Sequence, residues 1–262
     1  MKILQKNQEI PAIKKSIESL NCNKHGKFEA KIFTIGGTPF NKQCPKCEAE
    51  SEAKLEKERQ AKIAAFEQEQ RAKRIEGFLS SSNIPLRYQN KGFRDFEVVC
   101  DEQKSNKQNA WLYAKDFEKR FEAGSCAVFS GKTGTGKTHL ACAIGSYVIK
   151  ELARSVLYIT AIDAFRKIKN CYSKGSTKTE SEILASLTAP DLLILDEIGV
   201  QFGSETEKMI LFEIINKRYE AIKPSLLISN LKIESIACER TFDRIKENIP
   251  LFLIFNSNSK RK

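Results

Sequence analysis

A chain of 262 residues is long for one small domain and short for two full-sized ones, so a compact module joined to a larger domain is expected. Hydrophobic residues make up 41% and charged residues 29%, which excludes a disordered chain, and no apolar run approaches the ~18 residues of a membrane span. The net charge of +11 attracts phosphate backbones, with nucleic acid the expected polyanion, and the opening residues Met1 to Lys6 lack the apolar stretch of a signal peptide, so a cytoplasmic protein is expected.

Residues 1 to about 20 read as a weakly amphipathic segment around Ile10, Ile13, Ile17 and Leu20. From Cys22 to Cys47 short apolar runs alternate, Phe28, Ala30 and Ile32 followed by Phe33 and Ile35, and Gly36-Gly37 breaks them as a hairpin turn would. A small β-module is expected there. Eight cysteines in a cytosolic chain stay reduced, so the closely spaced ones read as metal ligands, while Cys100, Cys126, Cys142, Cys171 and Cys238 are scattered and read as small apolar or surface residues. Cys22 with His25, and Cys44 with Cys47, are two ligand pairs each separated by two residues, and Gly26 allows a tight turn beside the first. Four protein ligands leave no open position on a tetrahedral Zn²⁺, which is the pattern of a structural site; whether such a module recognises protein or nucleic acid stays open.

Residues 48 to about 78 are almost all Glu, Lys, Arg, Gln and Ala, with opposite charges four apart at Glu58/Lys62, Glu67/Arg71 and Glu69/Lys73. Leu55, Ile63, Phe66, Ile75 and Phe78 hold no clean heptad, so a solvated connecting helix is expected rather than a coiled coil. Ser80 to Pro85 end it. The expected organisation is a zinc-binding, zinc-ribbon-like module at 1–50, a charged linker helix at 51–83 and an α/β domain at 84–262. In that last part, apolar runs at 126–129, 155–160, 192–195, 225–229 and 251–255 alternate with helical patterns, the signature of a parallel sheet buried on both faces. Ser204 and Glu207 stand at capping-box spacing ahead of a further helix.

Gly131-Lys132-Thr133-Gly134-Thr135-Gly136-Lys137-Thr138 fits the Walker A pattern between a predicted strand and a predicted helix. Glycines let backbone N–H groups turn onto phosphate oxygens and the helix presents its positive end to them, so Lys137 is expected on the β- and γ-phosphates of ATP and Thr138 on Mg²⁺. The run Leu192 to Leu195 delivers Asp196 to the metal and Glu197 to the attacking water, as hydrolysis requires. His139 reads as a helix residue packing beside the loop.

The Walker A stretch continuing through His139-Leu140-Ala141, Asp196 to Gln201, Ser229-Asn230 and Glu239 to Ile245, in this order, resemble the DnaC family of bacterial and phage helicase loaders. The likeness spans about residues 84 to 256 and begins at Ile84 to Tyr88. It implies a P-loop domain of the AAA+ type, Asn230 as the sensor-1 residue near the γ-phosphate, and Arg244 as an arginine finger reaching the ATP of a neighbouring subunit. Arg240 lies one helical turn from Arg244 and Arg218 is a third candidate; for Arg244 the alternative is a surface ion pair with Glu239 or Asp243. The C-terminus departs from the family, keeping Arg261 but lacking an aromatic residue after Asn256.

Between the second strand and the Asp196 strand, Phe165, Lys169, Tyr172 and Lys174 place rings among cations, as single-stranded nucleic acid requires; in the family this region carries such contacts. Phe165 and Ile168 also fit the buried face of a helix. The expected function is an ATP-dependent loader of a replicative DNA helicase onto single-stranded DNA, with subunits that share ATP sites. Residues 1 to about 78 are expected to hold the helicase, and the later residues ATP, DNA and neighbouring subunits. A transposition helper ATPase, or a single-strand-binding protein with a vestigial nucleotide site, are the alternatives.

Overall fold

The computed structural model describes residues 13–35, 38–40, 42–173, 177–199, 204–231, 239–247 and 249–258. The expected turn at Gly36-Gly37, Lys174, Gln201, Cys238, the side chain of Arg240 and Arg261 lie outside the described residues. Two compact units are present, Met1–Gln70 and Arg71–Lys262.

In the first unit, β1 (Lys14–Cys22) and β2 (Gly26–Ile35) form an antiparallel hairpin closed at the Cys22↔Gly26 pair, and β3 (Thr38–Phe40) joins the other edge of β2. Lys14–Cys22 is therefore a strand, while Ile10 lies outside the described residues. The three- and four-residue spacing of Ile10, Ile13, Ile17 and Leu20 suggested an amphipathic segment, but the ladder to β2 satisfies its backbone and overrides that weak local pattern. Helix α1 (Pro45–Ser81) starts directly after Cys44, three residues earlier than expected, because Pro45 suits the first helical position, where a missing N–H costs nothing. Leu55, Ile63 and Phe66 on it are exposed, while Ile75, Phe78 and Leu79, near its end, pack into the core of the second unit.

The chain continues through α2 (Leu86–Gln89), a 3₁₀ turn (Phe93–Asp95), α3 (Asp101–Lys115) and α4 (Phe117–Glu122). Then come β4 (Ala127–Gly131), α5 (Lys137–Leu152), β5 (Val156–Thr160), α6 (Ala161–Cys171), α7 (Glu180–Thr188) and β6 (Leu192–Ile198). The described part ends with α8 (Glu205–Glu220), β7 (Ser225–Ser229), α9 (Glu239–Glu247) and β8 (Leu251–Phe255). All five expected strands are present, and they form one parallel sheet in the order β5-β6-β7-β4-β8.

Alternate residues of each central strand feed two cores. Ala127, Phe129, Ile194, Leu226 and Ile228 pack with α3, α4 and α5, whereas Val128, Leu193, Leu195 and Leu227 pack with α6, α7, α8 and Ile245 of α9. That double burial is why these strands read as continuous apolar runs. Ser204 caps α8 by accepting the Glu207 N–H, but the Glu207 carboxylate turns away to Lys169, so only half of the expected capping box forms. Among the described residues, no helix is long and apolar enough to cross a membrane.

Candidate nucleotide site and metal centre

β4 runs into the Gly-rich loop, and two of its glycines are required by close approach. A Cβ on Gly131, at φ +131°, would lie 2.1 Å from the Phe255 carbonyl oxygen, and one on Gly136, at φ +100°, 2.5 Å from the Phe96 ring. The loop is held in shape by its own groups: Thr135 is fully buried and its hydroxyl donates to the Lys132 carbonyl at 2.8 Å. Lys137 is also buried, its ammonium donating to the carbonyls of Gly131 (2.7 Å) and Lys132 (2.6 Å). To reach a phosphate, Lys137 exchanges carbonyl oxygens for phosphate oxygens, an exchange of like for stronger partners.

At the end of β6, Asp196 is buried, and both of its oxygens are engaged. Oδ2 accepts the hydroxyls of Thr138 (2.8 Å) and Tyr158 (2.7 Å), and Oδ1 the Glu197 N–H (2.7 Å). Burial, and after it the charge of Asp196, pushes the Tyr158 phenol well above its usual range, so it stays a donor. Glu197 has φ +58° and sits in a register shift between Leu195 and Ile198, which lifts it out of the ladder. Such a conformation costs a non-glycine residue about 1–3 kcal/mol and is held only because the surrounding structure dictates it. β7 is tied to this bend through the Ser229 hydroxyl, which donates to the Ile198 carbonyl at 2.7 Å. Asn230 follows directly.

Thr133, Gly134, Gly136, Lys137, Thr138, Asp196, Glu197 and Asn230 line one cavity of about 580 Å³. Residues from segments far apart in sequence thus meet around a space fit for a nucleotide. Its opposite wall was not foreseen as part of the site: Arg87, Tyr88, Lys91, Asp95, Phe96 and Glu97 close it from the segment that holds α2 and the 3₁₀ turn. His139 secures that wall, with Nε2 3.1 Å from the Gly92 carbonyl oxygen and its ring against Tyr88 and Phe96. The sequence signal was the Ile84–Tyr88 likeness alone, since no periodic pattern marks this stretch.

Arg244 is not among the described residues lining the cavity. It lies on α9, half exposed, with its guanidinium 4.5 Å from the centre of the Tyr219 ring and 4.0 Å from the Glu247 carboxylate. Arg218 is ruled out as a finger. It is 1% exposed and donates to the Ser225 hydroxyl and to the carbonyls of Leu187, Thr188, Pro190, Asp191 and Pro224. Burial lowers its pKa to about 10, yet it remains cationic at neutral pH and pins the ends of α7, α8 and β7 together.

Phe165 and Ile168 lie in the second core, the buried alternative for that face of α6. Tyr172 is exposed, and the Glu180 carboxylate beside its hydroxyl raises its pKa to about 12. Lys169 pairs with Glu207 at 2.8 Å. Two surface grooves of about 330 and 750 Å³ run along α6 and share Lys167 and Asn170, with Arg166 in one and Lys178 in the other.

In the first unit Cys22, His25, Cys44 and Cys47 converge, their ligand atoms all within 4.8 Å of one another. His25 Nδ1 lies 3.9, 3.7 and 3.3 Å from the sulfurs of Cys22, Cys44 and Cys47, and Cys22 and Cys47 are 3.5 Å apart. A tetrahedron with metal–sulfur bonds of about 2.3 Å has edges of about 3.8 Å, so the set fits Zn²⁺. Backbone N–H groups of Lys24 and His25 lower the Cys22 thiol to about 6, while the neighbouring Cys22 sulfur pushes Cys47 up to about 11. The two sulfurs thus share one proton, whose place a divalent cation would take. Glu50, which the sequence reading missed, accepts from His25 Nε2 at 3.1 Å and pairs with Lys24, orienting the ring so that Nδ1 faces the sulfurs. Its only signal is its place three residues after Cys47, one turn along α1.

The family profile described as IstB-like ATP binding protein matches residues 42–240. The replicative helicase loader DnaC of Escherichia coli (strain K12) is 35% identical over 203 residues, covering 76% of this chain and 80% of that protein. DnaC of Buchnera aphidicola subsp. Schizaphis graminum is 31% identical over 223 residues, covering 83% and 89%. Among solved structures, the DnaC helicase loader superposes with TM-score 0.59 at 21% identity, over 66% of this chain and 100% of that one. AMPPCP-bound DnaA from Aquifex aeolicus gives 0.55 at 23%, over 66% and 51%. These two likenesses concern the fold. With the profile spanning most of the chain and the loaders covered over four fifths of their length, the chain belongs to the IstB/DnaC-like family of AAA+ ATP-binding proteins.

Proposed function

We propose that this chain is a cytoplasmic, ATP-driven loader of a replicative DNA helicase onto single-stranded DNA. The observation that carries its chemistry is the meeting of Lys137, Thr138, Asp196, Glu197 and Asn230 around one cavity. The choice of helicase loading over transposition help rests on the named relatives at 35% and 31% identity.

In this reading Lys137 leaves its two loop carbonyls for the β- and γ-phosphates, and loop N–H groups take the remaining oxygens. Thr138 and Asp196, already in contact, hold Mg²⁺, which supplies charge neutralisation to the phosphates. Glu197 accepts the proton of the attacking water and Asn230 orients that water. Zn²⁺ on Cys22, His25, Cys44 and Cys47 stiffens the N-terminal module and takes no part in turnover.

Arg244 serves a neighbouring subunit's ATP site. Arg244→Ala should leave ATP binding normal and lower turnover about 10- to 100-fold, the loss of one charge-assisted contact. Mixing it with Glu197→Gln subunits should restore activity, since these keep the finger and lack only the base; ATPase assays of the mixture that stay flat would move the finger to Arg240. The loader reading itself is tested by sizing chromatography with the resident replicative helicase. Co-elution, with release of the helicase on ATP and single-stranded DNA, is expected, and separate elution under all nucleotide conditions would sink it.

A further inference from the structure

The three-stranded sheet of the first unit has two unlike faces. Strand alternation puts Leu20, Cys22, Phe28, Ala30 and Ile32 on one side, where Ala30 and Ile32 are buried. Residues directly opposite in an antiparallel ladder share a face, so the pairs Lys15↔Phe33, Phe33↔Phe40 and Ile17↔Lys31 lie together on the other side. On that side Ile17 is 68% exposed and Phe40 52%, and Phe33 is half-buried. One row across it reads Lys15, Phe33, Phe40, a cation beside two neighbouring rings, with the Lys15 ammonium 5.8 Å from the Phe33 ring centre. Glu29, the carboxylate this face carries, sits between Lys27 and Lys31 on its own strand. Between Ile13 and Cys44 there are six lysines and two glutamates.

We infer that this face binds single-stranded nucleic acid, with bases stacked on Phe33 and Phe40 and backbone phosphates met by Lys15 and Lys31. An exposed sheet face with aromatic side chains at paired positions offers apolar surfaces on which bases stack, and lysines on the same face neutralise the backbone. The face carries rings and an excess of cations, which suits a polyanion with planar groups. This contact goes beyond the loader reading, adding a nucleic-acid grip on the zinc module to the helicase contact expected of residues 1 to about 78.

The test uses the full zinc-loaded chain without nucleotide and a labelled oligothymidylate, read by fluorescence anisotropy. Phe40→Ala should weaken binding about fivefold or more, and Phe40→Leu, which keeps an apolar filler without a ring face, should weaken it similarly. Both variants should retain one equivalent of zinc, showing that the module is intact. Lys15→Gln should flatten the slope of log affinity against log salt by about 0.7. Tyr172→Ala, on the other unit, should weaken binding independently of Phe40→Ala. Photocrosslinking with 5-iododeoxyuridine should label a peptide containing Phe33 or Phe40. Crosslinks confined to the second unit, with anisotropy unchanged in Phe40→Ala and Phe40→Leu, would overturn the inference. Loss of helicase co-elution in those variants with unchanged oligonucleotide affinity would also overturn it, and would give the face to a protein partner.

Discussion

Replacing Lys137 with alanine is expected to abolish ATP binding, whereas Glu197→Gln is expected to keep binding and stop turnover. The difference follows from position. Lys137 is buried in the loop and already donates to two loop oxygens, so it is poised to donate to phosphate in the same manner. Its loss removes contacts each worth about 1.5–3 kcal/mol, so affinity should fall at least about 100-fold. Glu197 stands outside the loop and holds neither its backbone nor the Thr138–Asp196 contact, so the cradle survives its neutralisation. A missing general base lowers the chemical step by about 100- to 10,000-fold. Glutamine also accepts the same left-handed backbone no worse than glutamate, so the fold is not disturbed further. Fluorescent ATP-analogue titration and steady-state phosphate release separate the two effects. Equal loss of binding in both variants would contradict the roles assigned.

Chelation of zinc, or Cys44→Ser, is expected to unfold the first unit and leave ATP binding intact. Among the described residues of that unit only Ala30, Ile32 and Cys44 are buried apolar side chains, and one of the three belongs to the cluster that could hold a metal ion. Burying so little surface cannot offset the conformational entropy of ordering three strands. Zinc in a closed Cys₃His site would supply the difference, since a structural zinc ion contributes about 10–16 kcal/mol of folding free energy at neutral pH. The second unit has its own two cores on either face of its sheet and does not depend on that ion. Metal analysis should give one zinc per chain in protein purified without chelator. Limited proteolysis after chelation should cut between Ile13 and Cys44 while ATP binding persists. Resistance to the protease after complete removal of the metal would show that the module folds by other means.

Features whose physics is local were legible in the order of the residues. The Walker A glycines, the Asp196-Glu197 pair after an apolar strand, and the candidate ligand pairs Cys22/His25 and Cys44/Cys47 are set by spacings of a few residues, which can be read without the fold. The five strands were visible because burial on both faces leaves no polar positions within them. The structure brought the predicted phosphate-loop and acidic residues to one cavity, as parallel strands ending on the same side must.

Features that depend on distant partners emerge only in the folded chain. β1 exists because β2 pairs with it, whatever its own periodicity suggests. Arg218 and Arg244 are both arginines on helices in the same part of the chain, yet one is sealed under five carbonyls and a serine while the other lies against Tyr219 at the surface. Lys169 looked like a free cation until α8 brought Glu207 to it. Tyr158 reaches Asp196 only because β5 and β6 are neighbours in register, and the wall from Arg87 to Glu97 joins the cavity only because His139 and Phe96 seat it on the start of α5. A side chain's burial and partners depend on which residues of other elements surround it, and residue spacing along one segment carries no record of them.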